Sequence, residues 1–284
     1  MSETASNVSP SQVPVGIDPN RPSIARVYDG FLGGKDHYAI DRMVMAKVLD
    51  AVPEAADIAR GNRGFLNRAC RFLAAQTGIE QYLDCGSGLP TAENTHQIVH
   101  RTLPEAQIVY VDNDPVVLAH GRALLADEEF THMVEADIFT PKQVLDNPVV
   151  QRNIDFTQPA VVLHVGTLHH LVGDSGPSVM GAYIDALAPG SYVVFSHFYD
   201  PEVPELTALA KRIENVLTSG PLGAGAFRTR AEIEAMLPGL EFIQSNGEGD
   251  IGLVPCAEWW PDGPVLRNPS PASRCIAGLV GRKP

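Results

Sequence analysis

From Gly78 onward the chain alternates short apolar runs with amphipathic stretches, and this alternation limits the folds open to it. QYLDCG (81–86), QIVYVD (107–112), HMVEAD (132–137), AVVLHVG (160–166) and SYVVFSHF (191–198) read as strands. Helical stretches begin near Thr91, Pro115, Lys142 and Ser178. Consecutive strand–helix units in this number call for a mostly parallel, doubly wound sheet, with ligands at the carboxyl ends of the strands. Two further helices, 203–217 and 229–237, precede LEFIQS (240–245) and CIAGLVGRK (275–283), which read as closing strands and bring the expected total to seven. The Gly/Pro-rich stretch 255–273 reads as a long loop, with Trp259 and Trp260 either walling a pocket or pinning the loop.

The segment before this domain has a different texture. Residues 1–20 are rich in Ser, Pro and Asn and read as a disordered tail. Residues 21–77 carry apolar residues at helical spacing, with Ser23, Asp41 and Asp57 as candidate helix starts and Gly33-Gly34 as a break. This N-terminal helical segment is the natural lid for a site at the strand ends, leaving 78–284 as the ligand-binding domain.

Charge narrows the partners. Twenty-one Lys and Arg against 34 Asp and Glu leave a net charge of −13, with no basic run. Nucleic-acid backbones and anionic membrane surfaces are therefore disfavoured as partners. The four cysteines form no CxxC pair and no metal site is expected. No signal-like or membrane-length apolar run occurs, which points to a cytoplasmic protein.

Three strand ends carry the chemistry. YLDCGSGLPT places Asp84 at the end of the first strand, followed by Gly86, Ser87 and Gly88, where backbone can approach a ligand without Cβ contact. An acid here and Thr91 in place of a third glycine favour a ligand with an ammonium group over a pyrophosphate. VYVDNDP puts Asp112 where an acid accepts from both ribose hydroxyls, followed by Asn113, with Asp114 as a helix cap before Pro115. In EADIF, Asp137 is placed to accept from an adenine amine while Ile138 packs on the ring.

These motifs resemble class I S-adenosylmethionine-dependent methyltransferases: LDCGSG as first motif, Asp112 ending the second strand, ADI after the third and VVLHVGTLHH at the fourth. More narrowly, RPSIARVYDGFLGGKDHYAIDR, NRGFLNRA, VYVDNDPVVLAH and FRTRAEIEAMLPGLEF resemble a largely actinobacterial S-adenosyl methyltransferase family, once catalogued as a domain of unknown function. The resemblance implies a Rossmann-like sheet with an antiparallel seventh strand and S-adenosyl-L-methionine as cofactor. It implies Asp84, Gly86, Ser87, Gly88, Asp112, Asn113, Asp137, Ile138 and His164 as cofactor contacts. Tyr28, Phe31 or Tyr38 is a candidate to stack against the adenosine or to face the sulfonium as a cation–π partner, and Arg63 is a candidate for the cofactor carboxylate. Methyl transfer requires alignment above all, and a base only where the acceptor carries a proton. His169 and His197 are the candidate bases, with His170, Tyr199 and Asp200 nearby. The expected acceptor is a small molecule. Two other readings stay open: a NAD-dependent oxidoreductase on a similar sheet, and a cofactor-binding protein without turnover.

Overall fold

The computed structural model describes residues 17–90, 93–245, 251–261 and 269–284. Its sheet is built from β1 (Gln81–Cys85), β2 (Gln107–Asp112), β3 (Thr131–Glu135), β4 (Val161–Val165), β5 (Tyr192–Phe198), β6 (Glu241–Phe242), β7 (Val254–Pro255) and β8 (Ile276–Arg282). The order is β3-β2-β1-β4-β5-β8-β6, with β7 also paired to β8. Strands β1 to β5 run parallel, and β8 lies antiparallel against β5 and β6. The strand order reverses between β1 and β4, so a crevice opens at their carboxyl ends.

Alternation along the strands builds two cores. Tyr82, Ile108, Val161 and Val194 face one side, while Leu83, Val109, Val162 and Val193 face the other. Both faces are covered, which is why these strands read as continuous apolar runs. The first face packs on α3 (Ala56–Thr77), α4 (Thr95–Val99) and α9 (Pro204–Ser219), and the second on α6 (Pro141–Leu145), α7 (Pro148–Asn153), α8 (Gly176–Ala186) and α10 (Arg230–Glu234). α5 (Pro115–Leu124) starts at its proline, with the Asp114 carboxylate accepting from Val116 N at 2.8 Å.

The sheet has eight strands among the described residues, one more than the pattern predicts. The extra strand is β7, a two-residue segment that carries no periodicity and is recruited by Ala277 and Gly278 of β8. The expected start near Thr91 lies outside the described residues; α4 begins at Thr95, where Asn94 and Gln97 supply a reciprocal cap. In the N-terminal segment, α1 (Ile24–Phe31) is capped by Ser23, and α2 (Ala39–Ala51) begins two residues before Asp41. Asp41 acts from inside the first turn, accepting from Tyr38 N at 2.8 Å. Of the expected tail, residues 1–16 lie outside the described residues, while Ile17 packs on Leu89, Val116 and Val117.

α3 belongs to the helical layer of the sheet. Phe65 is fully buried, and its ring occupies the space where a Cβ on Gly278 would fall, 2.7 Å away. Trp259 stands edge-on to Phe65 and Phe72 at 5.4 and 5.8 Å, and Arg68 donates to the carbonyls of Cys256 and Trp259. The tryptophan therefore pins its loop to α3 and does not line the crevice.

Candidate active site

A cavity of about 600 Å³ lies at the crevice, between α1 and the loops that leave β1 to β5. Its size is that of a small-molecule site. It brings together Gly86, Ser87 and Gly88 after β1, Asp112 and Asn113 after β2, Asp137 and Ile138 after β3, and His169 after β4. Tyr28 from α1 and Arg63 from α3 face it from above. Three predicted residues are elsewhere.

The first is Asp84. Its carboxylate is buried beneath the loop, accepting from Thr95 Oγ1 at 2.7 Å, and does not line the cavity. Burial raises it to about 6, while the Thr95 hydroxyl and the Arg63 charge oppose the rise. The second, His164, is wholly enclosed, with its ring against Tyr183 at 4.6 Å and Nδ1 3.3 Å from Thr167 Oγ1; burial lowers it to about 3. The third, His197, is also buried, its Nδ1 2.7 Å from the Phe198 carbonyl, and burial lowers it to about 3. Each occupies a strand position whose side chain points into a packed layer, and period two decides this for His164 and His197. Tyr199 and Asp200 are also outside the cavity wall.

Asp112 organises the floor. Its Oδ2 accepts from Gly88 N at 2.9 Å, and its Oδ1 from the amides of Asn113 and Asp114 at 2.8 and 2.9 Å. Burial pushes its pKa up while these amides pull it down. A carboxylate has about four acceptor sites, so capacity toward a ligand remains. Gly86 has φ +78°, and a Cβ there would lie 2.5 Å from Thr167 Cγ2 and 3.1 Å from Ile138 Cδ1. No side chain fits this junction. Asp137 accepts from Phe139 N at 2.9 Å and Thr140 Oγ1 at 3.1 Å, and the Ile138 carbonyl accepts from Tyr183.

A polar bridge closes the roof. The Tyr28 hydroxyl donates to the Ala59 carbonyl at 3.2 Å and accepts from Asn62 Nδ2 at 3.0 Å, and burial raises its pKa. Asn62 Oδ1 accepts from Ser196 Oγ at 2.5 Å. Asn62 lies outside the three strand-end motifs. The available signal is a polar residue on the helical stripe of Leu66, Ala69 and Leu73, at spacings that bury all four.

A family model described as S-adenosyl methyltransferase matches residues 10–284. The chain belongs to that family. A crystal structure of a Thermobifida fusca YX protein, provisionally described as a methyltransferase, superposes with a TM-score of 0.88 at 42% identity, covering 98% of this chain and 99% of that one. A DUF574 family protein from Streptomyces avermitilis MA-4680 gives 0.85 at 31% identity, covering 94% and 99%. No curated protein matches the chain. Membership of the family decides against the oxidoreductase reading. The fold and site features of this methyltransferase suit the group its family implies. The Ser87 hydroxyl is buried at the cavity wall without a protein partner, and so is Arg63 Nε. The bare Gly86 backbone lets the loops after β1 and β4 meet at the cavity wall, where a Cβ would strike Thr167. Among the described residues no group of three or more His, Cys, Asp or Glu is arranged to hold a metal, and no helix is long and apolar enough to cross a membrane.

Proposed function

We propose that this methyltransferase binds S-adenosyl-L-methionine along the carboxyl ends of β1 to β3 and methylates a small-molecule acceptor. The observation that carries the reading is the convergence of Gly86, Ser87, Gly88, Asp112, Asn113, Asp137 and Ile138 on one cavity. In this reading Asp112 and Asn113 face the ribose, Asp137 the adenine amine and Ile138 the ring. Ser87 and Arg63 hold the amino-acid end, and Tyr28 faces the sulfonium. Asp84 contributes from behind by holding Thr95. The cofactor supplies an activated methyl group; the protein's part is to align it, to keep water away with the α1 and α2 roof, and to receive a proton where the acceptor has one.

His169 is a poor proton acceptor in this arrangement. Its Nδ1 accepts from Phe198 N at 3.3 Å, which assigns the proton of the neutral ring to Nε2. Burial holds its pKa well below the usual imidazole range, so the ring is a neutral donor.

Calorimetric titration with S-adenosylmethionine, S-adenosylhomocysteine and NAD tests the proposal. Both adenosyl compounds are expected to bind and NAD is not. Asp112→Ala is expected to weaken them by about 1–3 kcal/mol through loss of an acceptor that also holds the Gly88 amide. Binding of NAD alone, or of none of the three, rejects the reading.

A further inference from the structure

The cavity is chemically divided. Every charged side chain that lines it belongs to residues 17–26, to Arg63, or to the loops after β2 and β3. The part beside β5 and α9 is lined by Phe198, Ile213, Leu217, Leu222 and Ile276, and α2 and α3 add Val48, Ile58 and Leu66 to the wall. These apolar residues belong to, or pack against, the core cluster of α3 and α9, whereas Leu89 on the other side packs with Val116 and Ile17 in a separate cluster. The cavity thus has a charged half that suits the cofactor and an apolar half of different origin.

Two imidazoles belong to the wall of the apolar half, and the Tyr28–Asn62 bridge borders it along α3. The rings of His169 and Phe198 stack at 3.5 Å, and Phe198 stacks on Phe227 at 4.7 Å, so this wall is a rigid aromatic column. Ala226 N donates to the His169 carbonyl at 2.8 Å and ties the following loop to the same column. His170 abuts His169 with ring centroids 4.3 Å apart. The Ala224 backbone opposes the effect of burial on the His170 ring. Its Nδ1 is buried and has no partner within the protein. Assigning the proton of the neutral ring to Nε2 leaves a lone pair on the unpartnered Nδ1. Burial lowers the His170 pKa to about 4, which keeps the lone pair free at neutral pH.

We infer that the apolar half is the acceptor compartment, that it takes an uncharged molecule with an aromatic or similarly flat apolar body, and that His170 Nδ1 accepts a hydrogen bond from its one hydroxyl or N–H donor. The inference rests on the cofactor occupying the charged half. An ionised acceptor would have to leave water for a surface with no counter-charge, at a cost far larger than a hydrogen bond returns. An apolar body gains by the same burial. A buried acceptor atom without a partner is the feature that selects a donor on the ligand over a plain hydrocarbon.

Four probes of one shape separate charge from hydrogen bonding: naphthalene, 2-naphthol, 2-naphthoate and 2-naphthylmethylammonium. Their dissociation constants are measured by saturation-transfer NMR on the full chain, with and without S-adenosylhomocysteine, whose own binding is followed by calorimetry. The two uncharged probes are expected to bind at least tenfold tighter than either ion. 2-Naphthol is expected to exceed naphthalene by about three- to tenfold, the ratio one net hydrogen bond supplies. His170→Leu is expected to abolish that ratio while leaving naphthalene unchanged. An ion that binds as tightly as 2-naphthol, or no binding by any probe, overturns the inference. The wild-type series decides this even where the variant does not fold. S-Adenosylhomocysteine binding without probe binding rejects the acceptor compartment alone; probe binding without S-adenosylhomocysteine rejects the cofactor reading.

Discussion

Replacing Asp41 by Ala removes one carboxylate that four donors share. Asp41 Oδ2 accepts from Arg26 Nε at 2.7 Å and Tyr38 N at 2.8 Å, and Oδ1 from Ser23 N at 3.0 Å and an Arg26 terminal nitrogen at 3.3 Å. The side chains are 4% and 0% exposed, so the guanidinium cannot recover its hydration without moving. Removing one member of a buried ion pair typically costs about 3–5 kcal/mol, mostly because the other charge is stranded. Arg26 keeps its hydrogen bond to the Arg21 carbonyl and its position over the Tyr38 ring at 4.9 Å, which places the expected loss at the lower end, about 3 kcal/mol. The loss falls on α1 and α2, the roof of the cavity. Hydrogen exchange is the assay, because it reads local opening separately from global unfolding. Amides of residues 24–51 are expected to lose over a hundredfold in protection, while β4 and β5 lose less. The double variant Arg26→Met with Asp41→Leu is expected to recover a large part of the loss, since no buried charge remains. A single variant with protection within threefold of wild type would refute the argument, as would a double variant worse than the single.

Two other outcomes follow from the geometry. Gly86→Ala forces φ +78° on a residue with a Cβ that would lie 2.5 Å from Thr167; a stability loss of about 1–3 kcal/mol and a reduced S-adenosylhomocysteine-induced thermal shift are expected, checked by thermal denaturation with and without the ligand. For Asp84, the pKa of about 6 in the folded state lies above its ordinary value near 3.8. The folded protein therefore binds more protons than the unfolded chain between these values, and the stability contributed by this group falls as pH rises from about 4 to about 6. Asp84→Asn keeps an acceptor for Thr95 and is expected to remove this slope, on the order of 2–3 kcal/mol across the interval, measured by urea denaturation at a series of pH values.

Much of the fold was legible because burial on both faces left its mark on composition. β2 begins and ends where its apolar run does, and α5 starts at the Asp-Pro pair that caps it. β7 was not readable at two residues, since its pairing is dictated by a distant strand, and of the apolar run 240–245 only Glu241 and Phe242 form β6. At the site, Gly86, Asp112 and Asp137 could be found because a strand end fixes where the next residues go. Asp84, His164 and His197 fall near the same strand ends, yet their side chains turn into packed layers, a choice that depends on register and on Thr95, Tyr183 and Phe198. Asn62 and Arg26 act through partners far along the chain, Ser196 and Asp41, and no local pattern names such a partner.

The position of β8 bears on how the chain is made. This strand, the last along the described sequence, sits inside the sheet, with β5 on one side and β6 on the other. It also supplies Gly278, the floor against which Phe65 of the early helix α3 rests. As the polypeptide leaves the ribosome, β1 to β5 emerge first, and β5 then presents an unpaired edge from Tyr192 to Phe198 until residues 276–282 follow. That edge and the bare aromatic face of α3 are a sticky template for other nascent chains. The sheet closes only by an antiparallel insertion across a long sequence separation, a slow step. Chaperone occupancy during synthesis is therefore expected to persist until residues 276–282 have left the ribosome.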